Sequence, residues 1–291
     1  MTQAPSLEEL EAINKVLANR QGALVQVFGD DYAHNLQTPV VFLDEETLES
    51  PPSIRFYKKD YAYLSKQLYL EYQYRSWTFF NQDVLARYNE VITKKLANIN
   101  ILMDNTITRL EKLLSQNNVS LESTLYPNPV TLTVPVIATH ARSYFLLLVA
   151  LDRVNLLAGT ANLLGVIDST QRAQAEYICK KAVRAFRSIM QTEVIKIYRE
   201  AQRVIQEQRT GGKVNEGMSA IVEQQGKEIA AFTATANDGS DADASLDLGG
   251  MDPAKLIDDA AAASVATNKG KAKAKAPVPA SAAAEAATPT A

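Results

Sequence analysis

The chain is poor in the residues that most often carry chemistry: one cysteine, two histidines and one tryptophan in 291 residues. A single thiol, Cys179, excludes an intrachain disulfide and suits a reducing compartment. No HExxH, CxxC, GxSxG or P-loop spacing occurs. His34 and His140 stand apart in sequence, and Cys179 sits inside an amphipathic stretch, where a small buried hydrophobe is its default role. None of the three has neighbours that would tune it as a nucleophile or base, so no enzyme, metal or cofactor is expected. An excess of positive charge is missing too: 30 Lys and Arg stand against 33 Asp and Glu, a formal net charge of −3. Global charge therefore gives no support to nucleic-acid binding, although a local basic face can coexist with acidic segments. Long apolar runs are absent as well. The longest, Tyr144 to Leu151, stops at Asp152-Arg153, well short of the ~20 residues of a membrane span. The acidic amino terminus lacks the apolar core of a signal peptide, so a soluble, cytoplasmic protein without membrane contact is expected. The sequon Asn118-Val119-Ser120 then has no secretory context.

Helical periodicity dominates what is present. Ser6 with Glu9 forms a capping box ahead of a Leu7, Leu10, Ile13, Leu17 stripe, which predicts a short helix to Asn19. Residues 22–30 and 39–43 read as short strands. After Pro51-Pro52, the segment 53–59 alternates Ile54 and Phe56 with Arg55, Tyr57 and Lys59, the pattern of a half-exposed strand. Tyr61 to Phe80 is dense in aromatics on more than one helical face, and is expected to pack between other helices. Residues 82–115 give the cleanest helix, with Leu85, Tyr88, Ile92, Leu96, Ile99, Met103, Ile107, Leu110 and Leu114 at spacings of three and four and no Pro or Gly. Such a helix is expected to form one arm of a hairpin or a coiled-coil-like contact.

A loop marked by Asn117-Asn118 and Pro127-Asn128-Pro129 leads to an alternating strand, Val130 to Val134, then to an apolar helix through Tyr144–Leu151. Gly165 can end that helix, and Asp168, Ser169 or Thr170 can cap the next, from about Gln171 to Gln208. Thr210-Gly211-Gly212 is expected to end the ordered body. Beyond Phe232 an Ala-, Asp- and Lys-rich tail cannot bury enough apolar area to offset chain entropy. Its Lys269–Lys275 run is balanced by Asp238, Asp241, Asp243 and Asp247 upstream. The expected division is an N-terminal segment 1–50, a helical core 51–210 and a disordered tail 233–291.

Strand, helix, helix is the minimal plan of a ribbon reader of DNA, in which two strands pair across a dimer axis. Two ribbons compete. On residues 130–134 the outward side chains are Thr131 and Thr133, which can meet base edges or a thymine methyl; the plain alternative is an edge strand whose threonines face water. On residues 53–59 the outward set is Arg55, Tyr57 and Lys59 with neighbouring Lys58, chemically the stronger face for phosphate and guanine; the plain alternative is an inward Tyr57 beside a snorkelling Lys58. The residues do not choose between them, and the two strands could pair with each other. The second helix adds Lys180, Lys181, Arg184 and Arg187, a basic stripe that is usually a solvated face. Asp168 would repel a phosphate at that helix's start unless it turns inward as the cap.

The stretch PVTLTVPVIATHARSYFLLLVALDRVNLLAGTANLLGVIDSTQRAQAEY resembles the AcaB-like proteins of integrating conjugative elements and conjugative plasmids. The shared features are a strand ending in a proline-containing turn, an aromatic, and an apolar helix holding Asp152. A Gly165-to-Asp168 turn and a second helix with Lys180, Lys181 and Arg184 follow. The aromatic-rich helices from Tyr61 to Leu114 extend the resemblance to residues 53–208; the alanine-rich tail departs from it. The resemblance implies a ribbon-helix-helix, DNA-binding transcriptional regulator of a mobile element's transfer genes. The expectation is thus a mainly α-helical bundle with a long helical hairpin and one or two short strands. It would form a homodimer that binds duplex DNA through Arg55, Tyr57, Lys58, Lys59, Thr131 and Thr133. The rival expectation is a non-enzymatic structural or interaction protein of the same element, with residues 82–115 as its main interface.

Overall fold

The structure, a computed structural model, describes residues 19–36, 40–119, 124–211 and 216–236. The expected helix at 6–19 (apart from Asn19) and the tail from 237 onward, including Lys269–Lys275, lie outside the described residues. In chain order the elements are helical residues 19–28 (α1), Asp30–Asn35 (α2), Phe42–Leu48 (β1), Pro51–Phe56 (α3), a π-helical turn Tyr57–Tyr61, Ala62–Arg75 (α4) and Gln82–Gln116 (α5). There follow Val130–Val136 (β2), Thr139–Leu163 (α6), Ser169–Thr210 (α7) and Glu216–Ala236 (α8). The described residues are mainly helical, with one two-stranded antiparallel sheet among them.

Helix α5 forms where its stripe places it. Asn81 caps it by accepting from the Asp83 N–H, and Leu85, Tyr88, Ile92, Leu96, Ile99, Met103, Leu110 and Leu114 are buried along one side. That side packs on α6 and α7, so the stripe is satisfied within the chain. Helix α6 is the centre of the bundle. Its apolar run does not stop at Asp152: the helix continues to Leu163 and is long and apolar enough, by length and composition alone, to cross a membrane. Most of that run is buried in the protein, as in the core helix of a soluble protein. Asp152 is tolerated inside because both its oxygens accept backbone N–H groups, from Glu49 at 3.0 Å and Ser50 at 2.6 Å.

Gly165, at φ 69°, ends α6 in the left-handed region open to glycine. Asp168 then caps α7 in a reciprocal capping box with Gln171, each side chain bonding the other's backbone N–H at 2.8 and 2.9 Å. Asp168 has turned to its own helix.

Three local expectations are corrected. Residues 22–30 are helical, not a strand, up to a break at Gly29, whose φ of 85° suits glycine. The segment 53–59 is helical as well. Ser53, Phe56, Tyr57, Asp60, Tyr61 and Leu64 are the buried positions, a repeat of three and four that a five-residue alternation of Ile54 and Phe56 had masked. Pro51 and Pro52 open α3 at the first helical positions, where a missing N–H costs nothing. Finally, the ordered body does not end at Gly212. Helix α8 returns onto α4 and α7 and buries Val222, Gln225 and Phe232; Phe232 stacks on Tyr63 at 3.7 Å between ring centroids.

The strand expected at 130–134 exists and runs two residues further, through Pro135 to Val136. Its partner is β1 of the same chain, in register from Phe42 opposite Val136 to Leu48 opposite Val130. The expected strand at 39–43 begins instead at Phe42 and continues through three carboxylates to Leu48. Both strands are edges, so Pro135 interrupts no central ladder, and its carbonyl accepts from the Tyr61 hydroxyl at 3.0 Å.

Candidate nucleic-acid interface

Two surfaces carry the residues expected to meet DNA, and they differ in charge. The ribbon's solvent face shows Thr131 and Thr133, both exposed. Thr131 faces Thr47 across the strands, with their hydroxyl oxygens 3.2 Å apart. Thr133 lies opposite Glu45, which is also exposed, while the neighbouring Asp44 and Glu46 alternate to the other side of the strand and are partly exposed. The nearby Arg142 is drawn to Asp44 at 3.3 Å. Carboxylates beside two threonines repel a phosphate backbone more than two hydroxyls attract it. Pairing within one chain also completes the ribbon without a second copy.

The other surface belongs to α3 and the π-helical turn. Arg55 and Lys58 are exposed and Lys59 is partly so, while Tyr57 is buried. The Tyr57 ring stacks on Tyr61 at 5.1 Å and meets Phe145 edge-on at 5.9 Å. Burial pushes its phenol up to about 12, so it stays a neutral core group rather than a reader of bases. Arg55, Lys58 and Lys59 line an open groove of about 640 Å³ with Pro51, Ile54, Tyr126 and Asn128. One carboxylate, Glu49, is in the wall, where it accepts from the Tyr126 N–H at 3.3 Å. A groove with three cations and an aromatic at its edge matches a sugar–phosphate backbone.

Buried polar bonds hold this basic segment in place. Besides the Asp152 carboxylate under its start, Asn155 donates to the Ser50 hydroxyl at 3.2 Å, and Ser50 to Ser53 at 3.0 Å. Asp60, fully buried at the end of the segment, pairs with Arg187 of α7 at 3.3 Å. The Arg187 guanidinium also lies 4.5 Å over the Phe232 ring, which ties in α8.

The four-residue basic stripe expected on α7 is not one solvated face. Arg187 is buried, Lys180 pairs with Glu176 at 3.0 Å, and Arg184 lies 5.9 Å over the Phe56 ring. Lys181 alone of the four is exposed. The contact of Arg184 with Phe56 places α7 beside the basic groove, a juxtaposition that sequence reading missed. Its signal was present: the same three-four repeat that makes 53–64 helical turns Phe56 inward and Arg55 outward.

The groups open to chemistry elsewhere are quiet. His140 is half-buried, and burial holds its imidazole below the usual value. Burial raises the Cys179 thiol to about 11. His34 is exposed beside Asp30 at 3.8 Å. Among the described residues no three or more His, Cys, Asp or Glu side chains converge as a metal site would need.

No protein-family model and no curated protein matches the chain. Among solved structures it is similar to a crystal structure of selenomethionine-containing AcaB from uropathogenic E. coli. The match has 19% identity and a TM-score of 0.49, over 66% of this chain and 96% of that one. The chain therefore has a distant AcaB-like structural neighbour.

Proposed function

We propose that this protein is a non-catalytic, DNA-binding regulator that meets duplex DNA through the α3 groove rather than through the ribbon. The observation that carries the reading is the clustering of Arg55, Lys58 and Lys59 around one open groove in a chain of net charge −3. A regulator of a mobile element's transfer genes is the class implied by the AcaB-like residues of 53–208. The buried supports under residues 50–61 give such a contact the rigidity that positions phosphate-binding side chains. The reading is tested by titrating a labelled duplex with the full chain at several salt concentrations. Binding that weakens steeply as salt rises is expected, since each neutralised phosphate releases counterion; no retention of any duplex at low salt would contradict it.

A second reading has its own support, in the acidic and partly apolar ribbon edge. Phe42 and Val40 are exposed beside Tyr72 along a groove that reaches His140. That edge suits a protein contact, and the two surfaces are separate.

A further inference from the structure

Helix α7 passes beside α3 through the Arg184–Phe56 contact, and its outer face is unusual in composition. Between Lys181 and Gln206, the exposed positions of α7 include the four cations Lys181, Lys196, Arg199 and Arg203, of which Lys196 and Arg203 are about half-exposed and ion-paired. The rest are Ser, Thr and Gln with one Ile, and neither carboxylate of that interval is among the exposed positions. The two carboxylates there are drawn under the ridge. Glu193 is buried and holds Lys196 at 2.6 Å, and Glu200, its side chain 14% exposed, holds Arg203 at 2.6 Å. Glu207, just beyond the interval, pairs with Arg203 as well. Arg87 of α5 joins Lys196, Arg199 and Arg203 around a groove of about 410 Å³, whose wall also holds Glu193 and Glu200, each paired to one of these cations. Hydroxyls, amides and cations without exposed acids are the donors that meet a sugar–phosphate backbone.

Geometry gives the ridge a direction. Lys181 and Arg199 are separated by five whole helical turns, so they share a side of α7 about 27 Å apart. From Lys181 to Arg203 the ridge spans about 33 Å, close to the ~34 Å of one duplex turn. At its near end Arg184 lies 5.9 Å over the buried Phe56 ring, which sets this end of α7 beside α3.

We infer that the exposed ridge of α7 is a second line of phosphate contacts, starting beside α3 and long enough to follow about one turn of duplex. The inference rests on the DNA-binding reading above and assigns that function a footprint. Its contacts are to backbone, so they act alike on every sequence.

The test uses the full chain, a labelled random-sequence duplex of about two turns, and the pair Lys181→Gln with Arg199→Gln. Glutamine keeps helix propensity on an exposed face, and an unchanged melting curve checks folding. Two lost phosphate contacts should flatten the slope of log affinity against log salt by about 1.8, at ~0.9 each, equally for unrelated sequences. A slope equal to that of the unaltered chain overturns the ridge. If binding then still depends on Arg55, Lys58 and Lys59, the groove reading survives alone. No duplex binding by the unaltered chain overturns both. Tight capture of polyglutamate that duplex cannot displace assigns the ridge to an acidic protein and likewise overturns the proposal.

Discussion

The ribbon and the α3 segment read alike in sequence and differ in everything that follows from folding. Both alternate apolar with polar residues over five to seven positions, and both were expected to be strands. The ribbon is held by its backbone ladder, displays two threonines among carboxylates, and has one outward cross-strand hydroxyl contact, Thr47 with Thr131. The α3 segment is helical, displays three cations and is fastened from beneath by Asp152, Asn155, Arg187 and Pro135. Strand–helix–helix order in the sequence points to the ribbon as a DNA reader, but the ribbon pairs within one chain, and charge favours the helix. For a polyanion partner charge decides, because affinity for a phosphate backbone is mainly electrostatic.

The sharpest way to separate the two regions is to cut the fastenings of one. Asp60→Ala leaves the Arg187 guanidinium buried without its carboxylate. A loss of about 3–5 kcal/mol in urea unfolding is expected, and Asp60→Ala with Arg187→Met should recover much of it. Asp152→Ala strips two backbone N–H groups of their acceptor at the start of the segment. Its cost should be about 3 kcal/mol, with Asp152→Asn in between. Equal stability of either variant with the unaltered chain would show that the segment is not anchored as described.

Alkali should act on the same region. Burial raises the Tyr57 phenol from 10.0 to about 12, and that of Tyr61 further. A phenol that ionises later when folded adds stability that is complete below pH ~10. That stability is lost as pH rises toward and through the folded value, because the unfolded chain then gives up its proton first. Melting temperature should therefore fall between pH 10 and 12, and less so in Tyr57→Phe. The ribbon strands contain no tyrosine and should not contribute. The smallest effect is expected there: Thr47→Val with Thr131→Val removes one exposed hydroxyl contact and should change stability by about 0.5 kcal/mol or less.

How much of this was legible follows from how much each pattern constrained. The long stripe of α5 fixes a helix because its repeat persists from Leu85 to Leu114 without a breaker. Asp168 was readable as one of three candidate caps with Ser169 and Thr170, the structure choosing it through Gln171, and β2 was readable through its alternation. Segment 53–59 was not, because a short alternation fits a strand as well as one turn of helix; only its continuation to Asp60, Tyr61 and Leu64 discriminates. Strand β1 was read short because Asp44, Glu45 and Glu46 are poor strand formers, and it is β2 that organises them. Helix α8 escaped because its docking rests on isolated residues. Gln225 bonds Tyr74 and Gln67, and Phe232 lies against Tyr63 and Arg187. As for the site, Arg55, Lys58 and Lys59 could be singled out by charge, but their shared groove and the approach of α7 depend on contacts distant in sequence.

The measurement that bears most directly on the contrast is duplex affinity for two variants of the full chain at one moderate salt concentration. One replaces Arg55, Lys58 and Lys59 with Gln; the other replaces Thr131 and Thr133 with Val. The groove variant should bind at least about tenfold more weakly and flatten the salt slope by about 2.7, at ~0.9 per lost contact, while the ribbon variant stays within about twofold of the unaltered chain. Loss of affinity in the ribbon variant, with the groove variant binding as the unaltered chain does, would contradict the account.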